Sequence, residues 1–206
     1  MTEKELNDCR RRFGILFQSG ALINSLSVGE NVALPLRELT DLDGNTIDIM
    51  IKIKLEMVGL REHADKMPAQ LSGGMKKRAG LARAIALDPQ ILFYDEPSAG
   101  LDPVTSAQID RLIIDMTRKL QVTSVVVTHE MDSAFAIADR MCMLDKGLVL
   151  KVGPRHEFEA LRDSPTDQLS TQRDRLIQQF LCGNAQGPIT ERQESGGYAQ
   201  DILTTK

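Results

Sequence analysis

The sequence predicts an α/β fold, a parallel sheet with an inserted helical subdomain, and three observations carry that prediction. Short apolar runs lead repeatedly into helical patterns. Two of them, Ile91-Leu92-Phe93-Tyr94 and Ser124-Val125-Val126-Val127, are apolar on both faces, as central strands of a helix-covered parallel sheet are. From about Ser19 to Leu87, by contrast, helix signals dominate. With 206 residues, 42% of them apolar and 26% charged, the chain can bury one good core, and one domain with an appendage is expected.

The elements follow in order. An apolar run from Phe13 to Phe17 ends at Gln18. Ile51, Ile53, Leu55 and Met57 alternate like a strand, yet Ile47, Ile51, Leu55 and Val58 fit a helix equally well; Gly59 as a C-terminal cap favours the helix. Met75, Ala79, Ala82 and Ala86 recur at helical spacing until Asp88-Pro89 stops them. Met141-Cys142-Met143-Leu144 and Leu148-Val149-Leu150 flank Asp145-Lys146-Gly147 as a hairpin near the sheet's end. Two helical patterns follow Gly153-Pro154, and the stretch 187–206, rich in Gln, Thr, Gly and Glu without periodicity, reads as disordered.

A net charge of −4 argues against a nucleic-acid binder that works through a summed positive field. Cys9, Cys142 and Cys182 are odd in number and without CxxC spacing, which suits a reducing compartment and inert packing thiols. The opening MTEKELNDCRRR has no signal-peptide apolar stretch, and no run of 18 apolar residues occurs, so neither a membrane span nor export by that route is expected.

The chemistry begins at Asp95-Glu96, two acids closing an apolar strand at the carboxyl edge where open α/β sheets bind ligands. There one carboxylate can hold Mg²⁺ through its water shell and the next can orient an attacking water; the plain alternative is two solvated acids in a turn. His129 follows the second strand, so parallel neighbours can bring it to the same edge, where an imidazole can contact a γ-phosphate; alone it reads as a turn histidine. Gln18 closes a third run and can ligate a metal or bind the nucleophilic water through its amide. Leu71-Ser72-Gly73-Gly74-Met75 opens the helix that runs toward Leu87. Glycines let backbone N–H groups approach a phosphate, the helix start adds partial positive charge and Ser72 adds a hydroxyl. The competing reading is a serine N-cap followed by loop glycines. Lys76, Lys77 and Arg78 read as a solvated first turn whose opposition to the helix dipole slightly favours an anionic neighbour.

The ordered set Gln18, Leu71-Ser72-Gly73-Gly74, Ile91-Leu92-Phe93-Tyr94-Asp95-Glu96, Ser98-Ala99-Gly100-Leu101-Asp102 and His129 resembles the Q-loop, signature, Walker B, D-loop and H-loop of ABC ATPases over about Phe13 to Leu150. The resemblance implies a P-loop NTPase-like (RecA-like) parallel sheet with the ABC helical subdomain inserted, truncated at the N-terminus. It divides the chain into 1–18, a core remnant; 19–88, the helical subdomain; 89–153, the core with Walker B, D-loop and H-loop; 154–186, C-terminal helices; and 187–206, the tail. It also implies ATP and Mg²⁺, with Asp95 and Gln18 on the metal, Glu96 as catalytic base, His129 on the γ-phosphate and Gln18 beside the attacking water. Two subunits would sandwich two ATP molecules, so that Ser72, Gly73 and Gly74 act in trans and Asp102 lines the dimer seam.

Within the family, FQSGALINSLSVGENVALPLRE, LSGGMKKRAGLARAIALDP and QQFLCGNAQGPI are similar to the ATPase of Mla-type phospholipid transporters, the toluene-tolerance group. Met75 stands where the general ABC signature commonly has Gln, a departure shared with that subgroup. This implies a lipid transporter powered from the cytoplasmic face of the inner membrane, a permease docked around Ser19 to Pro35, and no nucleic-acid partner. None of the 15 glycines is followed by Lys, so GxxxxGK[ST] is absent from these residues, and this chain alone is expected to hold ATP poorly and to be inactive. Three alternatives stand beside this reading: a P-loop-less degenerate or regulatory module, an ABC transporter ATPase for another substrate, and a soluble ABC ATPase in repair or translation.

Overall fold

The computed structural model describes residues 2–190. They form two units, divided between Ile137 and Ala138. In the first, α1 (Glu3–Arg10) leads into β1 (Phe13–Leu16), followed by α2 (Val28–Leu39), α3 (Gly44–Met57), α4 (Gly73–Ala84), β2 (Ile91–Asp95), α5 (Pro103–Leu120), β3 (Thr123–Val127) and α6 (Met131–Ile137). The three strands are parallel in the order β1-β2-β3, with Leu16 beside Tyr94 and Tyr94 beside Val126. The α/β class holds, and the ambiguous stretch around Ile51 is helical, with Gly59 in the left-handed region beyond its end.

Two expectations about the strands need correction. Among the described residues only β2 is central; β3 is an edge strand, with Val125 and Val127 exposed. One sheet face is covered, through Leu16, Leu92 and Tyr94, while Phe13, Ile15 and Phe93 lie exposed on the other, where the rings of Phe13 and Phe93 meet at 5.9 Å. Apolar residues on both faces therefore do not translate into cover on both faces among the described residues.

Helix α4 is held against the covered face by missing side chains. A Cβ on Gly14 would collide with the carbonyl oxygen of Ala84 and come within 2.6 Å of Leu92 Cδ2; one on Gly80 would lie 2.8 Å from the carbonyl oxygen of Gly20 and 2.9 Å from Leu16 Cδ1. Gly20 has φ +76°, and a Cβ there would meet the carbonyl oxygen of Lys76 at 2.7 Å. The apolar periodicity runs past the end of α4: Ile85 and Ala86 are fully buried but form a turn closed by the Asp88 N–H on the Ile85 carbonyl (3.2 Å). Asp88, before Pro89, leaves the helical region at φ +49°. Its carboxylate pairs with the buried ammonium of Lys54, tying α3 to the end of α4.

The loop before α2 is organised by one buried side chain. Asn31 Nδ2 donates to the carbonyls of Ile23 (3.1 Å), Leu26 (3.1 Å) and Ser27 (2.9 Å), and its Oδ1 accepts from the Ile23 N–H (2.8 Å). The Arg83 guanidinium reaches the same Oδ1 at 3.4 Å and the Gly20 carbonyl at 3.2 Å.

The second unit contains the antiparallel hairpin β4 (Arg140–Asp145) and β5 (Leu148–Pro154), then α7 (Arg155–Asp163) and α8 (Gln172–Cys182). The hairpin is its own two-stranded sheet, not an extension of the parallel one. Buried Gln178 donates to the carbonyls of Leu161 (3.1 Å) and Ser164 (2.5 Å), closing the turn after α7 onto α8. All three cysteines are exposed, so they are not packing thiols. Of the stretch expected to be disordered, 191–206 lies outside the described residues, and 188–190 are helical.

Gly14→Ala should force β1 and α4 apart, because the offending atoms are backbone as well as side chain. The expected loss is about 1–3 kcal/mol, the usual cost of overpacking; an unchanged denaturation midpoint would refute the close approach.

Candidate functional site

The register of the parallel strands sets the site. Gln18 lies two residues beyond Leu16, Glu96 two beyond Tyr94, and Thr128-His129 directly follow Val127, so all end at the carboxyl edge of three neighbouring strands. The Glu96 N–H still donates to the Val127 carbonyl (2.9 Å), one step past the ladder, and the chain then turns with Glu96 at φ +47°. That left-handed conformation is strained for a residue with a side chain and is typical of functional positions.

Glu96 and His129 meet there. Imidazole Nδ1 lies 2.7 Å from Glu96 Oε1, and the Thr128 hydroxyl donates to Glu96 Oε2 at 3.3 Å. The Glu96 side chain is 17% exposed and that of His129 68%, so a half-sequestered carboxylate is presented beneath an open imidazole. The hydrogen bond to Glu96, reinforced by its negative charge, raises the His129 pKa above 6.5. Asp95 closes β2, exposed, and its carboxylate accepts no side-chain hydrogen bond among the described residues; Gln18 is likewise exposed and unbonded. Neither joins the Glu96–His129 pair directly.

The glycine-rich segment has its own surroundings. Ser72 is the N-cap of α4, its Oγ accepting from the Met75 N–H (3.3 Å). A Cβ on Gly73 would stand 3.2 Å from Leu101 Cδ2, and one on Gly74 would stand 2.6 Å from Thr105 Cγ2. Gly74 thus has a packing reason to be glycine, while Ser72 and Gly73 remain exposed. Asp102 caps α5: its carboxylate accepts from the N–H groups of Val104 (3.1 Å) and Thr105 (3.0 Å) and from the Thr105 hydroxyl (2.5 Å), which holds its pKa below the ordinary carboxylate value. No hydrogen bond or ion pair links Ser72, Gly73, Gly74 or Asp102 to Glu96 or His129.

Four residues around the site were not legible as such in the sequence. Thr128 steadies Glu96, and only its hydroxyl beside His129 hinted at it. Lys77 and Arg78 are not a solvated turn: Lys77 is 5% exposed and donates from Nζ to the Glu96 carbonyl (2.7 Å), while Arg78 donates to the Val58 carbonyl (3.3 Å) and Gln108 Oε1 (3.1 Å). Asp110, buried, has both carboxylate oxygens within 2.6 Å of Ser133 Oγ, which in turn lies 3.1 Å from Ser98 Oγ. Burial raises the Asp110 pKa above its ordinary value. This chain of contacts joins the segment after Glu96 to the helix after His129.

Pairing with Glu96 favours the imidazolium, so its contribution is fully present below pH 6.5 and fades as pH rises through the raised His129 pKa. An NMR titration should find His129 above 6.5, and Glu96→Gln should bring it down; equal values in the two proteins would show that the pair does not form in solution.

The profile of the ABC transporter family matches residues 1–99. The intermembrane phospholipid transport system ATP-binding protein MlaF of Escherichia coli (strain K12) is 42% identical over 204 residues, which span 98% of this chain and 71% of the relative. The probable ribonucleotide transport ATP-binding protein mkl of Mycobacterium leprae is 41% identical over 191 residues, 93% of this chain and 52% of the relative. A solved dimeric ATP-binding cassette in a post-hydrolysis state, bound to ADP and Pi, superimposes with a TM-score of 0.66 at 33% identity, covering 75% of this chain and 68% of that one. Together with a carboxyl edge that carries Asp95, Glu96 and His129 in the family's order, these matches establish that the chain belongs to the ABC transporter family, as an ATP-binding, ATP-hydrolysing subunit.

Proposed function

We propose that the protein powers phospholipid movement across a cell envelope by hydrolysing ATP, as one of a pair of ATPase subunits docked on a membrane permease. The observation that carries the catalytic part is the Glu96–His129 pair at 2.7 Å on the carboxyl edge. The lipid part rests on the similarity to MlaF; mkl, similar to the same degree, bears a ribonucleotide name, so the cargo belongs to the proposal. Among the described residues no helix is long and apolar enough to cross a membrane, in keeping with peripheral attachment through a partner, proposed at the cytoplasmic face around Ser19 to Pro35.

In this reading the Glu96 carboxylate accepts the proton of the attacking water as that oxygen approaches the γ-phosphorus, and His129 orients the γ-phosphate from the same edge. Thr128 and the strained turn keep Glu96 aimed. Ser72, Gly73 and Gly74 serve the nucleotide held by the other subunit, where the α4 N-terminus and its free N–H groups suit phosphate oxygens. Asp102 caps the helix beside that segment and stands at the seam. Among the described residues no group of three or more His, Cys, Asp or Glu side chains could hold a metal unaided. An exposed, unbonded Asp95 with the Gln18 amide at the same edge fits Mg²⁺, which keeps water and phosphate oxygens in its shell. When bound, that ion neutralises phosphate charge.

In a form of the protein that carries a phosphate-binding loop, Glu96→Gln should lower steady-state phosphate release by roughly 10²- to 10⁴-fold, the usual worth of a placed general base. Reconstituted with its permease, the same variant should fail to move lipid between vesicles. Near-normal turnover would overturn the assignment of Glu96, and turnover without lipid movement in the unsubstituted protein would overturn the cargo.

A further inference from the structure

We propose that Lys77, on the signature helix, is a positioning residue for Glu96: its ammonium holds the Glu96 carbonyl and thereby fixes the turn that aims the carboxylate at His129. The inference rests on the catalytic reading of Glu96 above. Lys77 reaches from the second turn of α4 across to the end of β2 and donates to the Glu96 carbonyl at 2.7 Å. Among the described residues that carbonyl otherwise accepts only the Ala99 N–H, at 3.3 Å, a weaker contact within the same turn. The residue between these bonds is the one with φ +47°.

A buried ammonium is costly unless it is paired and hydrogen-bonded. Lys77 is 5% exposed, and burial lowers its pKa, opposed by the charges of Glu130, Glu96 and Asp95. The acids around it are thus those of the strand end and the segment after His129, while its one strong hydrogen bond goes to backbone. An ammonium so placed serves two purposes: it neutralises a crowded acidic edge, and it pins a strained peptide that no side chain of the edge itself holds. It also connects two regions of different duty, because α4 begins at Ser72 and Gly73. A displacement of the α4 N-terminus would be felt at the Glu96 carbonyl a turn later, through a bond rather than through loose packing.

Two measurements test this. In the 206-residue chain, the NMR titration of His129 is compared between the wild type, Lys77→Met and Lys77→Arg. Loss of a nearby positive charge could by itself only raise the imidazole pKa, so a fall toward 6.5 in Lys77→Met reports a broken Glu96–His129 pair. The fall is expected, with Lys77→Arg close to wild type; a rise or no change in a folded Lys77→Met would overturn the proposal. Should Lys77→Met melt without a cooperative transition, Lys77→Leu, likewise apolar and without a donor, replaces it under the same criteria. In the form carrying a phosphate-binding loop, Lys77→Met should lower kcat by about 10²-fold, the cost of misplacing a reacting group by about 1 Å, with the KM for ATP little changed. Unchanged kcat in Lys77→Met, where Glu96→Gln is inactive, would overturn the positioning role alone. Activity retained in Glu96→Gln would overturn the catalytic reading beneath it.

Discussion

Helix α4 can lie where it does only because residues 14, 20 and 80 carry no side chain. A Cβ at any of them would run into backbone atoms of the opposing segment. With those atoms absent, the helix packs onto β1 and onto the turn after Gln18, which in turn is tied by Arg83 to the Asn31 hub at the start of α2. One helix therefore touches the first strand, the turn after Gln18, helix α2 and, through Lys77, the end of the central strand. Tight interiors transmit displacement because they have little free volume to absorb it.

From that contact the site follows. The register of β1, β2 and β3 delivers Gln18, Asp95-Glu96 and Thr128-His129 to one edge, but register alone does not aim a side chain. The aim comes from the left-handed turn at Glu96, from the Thr128 hydroxyl, and from the buried contacts of Asp110, Ser133 and Ser98 that fasten the segment after Glu96 to α6. Asp102 and Gly74 then set the glycine-rich segment against the start of α5, leaving Ser72 and Gly73 exposed.

How much of this the sequence disclosed depended on the kind of signal. Apolar runs ending in Gln18, Asp95-Glu96 and His129 were legible because strand hydrophobicity and a polar terminus are local patterns. The helix around Ile51 was decided by Gly59, whose φ of +70° is the conformation that a C-terminal glycine allows. Position within the sheet was not legible: Val125 and Val127 look like core residues yet lie on an edge, since cover is a property of neighbours far away in sequence. The role of Lys77 is not legible for the same reason. Beside Lys76 and Arg78 it looks like one of three solvated bases, and its partner, the carbonyl of Glu96, lies 19 residues further on and is a backbone atom that no side-chain pattern reveals. Nor does spacing reveal that Glu96 and His129 touch, although strand order puts both on one edge.

The central claim is that each catalytic edge works with the signature segment of the other subunit. Complementation measures it most directly, in a form carrying a phosphate-binding loop, by mixing Gly73→Asp subunits with Glu96→Gln subunits and recording phosphate release. Each variant alone should be inactive, one through a carboxylate set against phosphate and the other through loss of its base. In a mixed dimer, shared use leaves one site with both Glu96 and an unaltered Gly73, so release should reappear. Mixed dimers that form, as shown by pull-down, and still release no phosphate would contradict the arrangement.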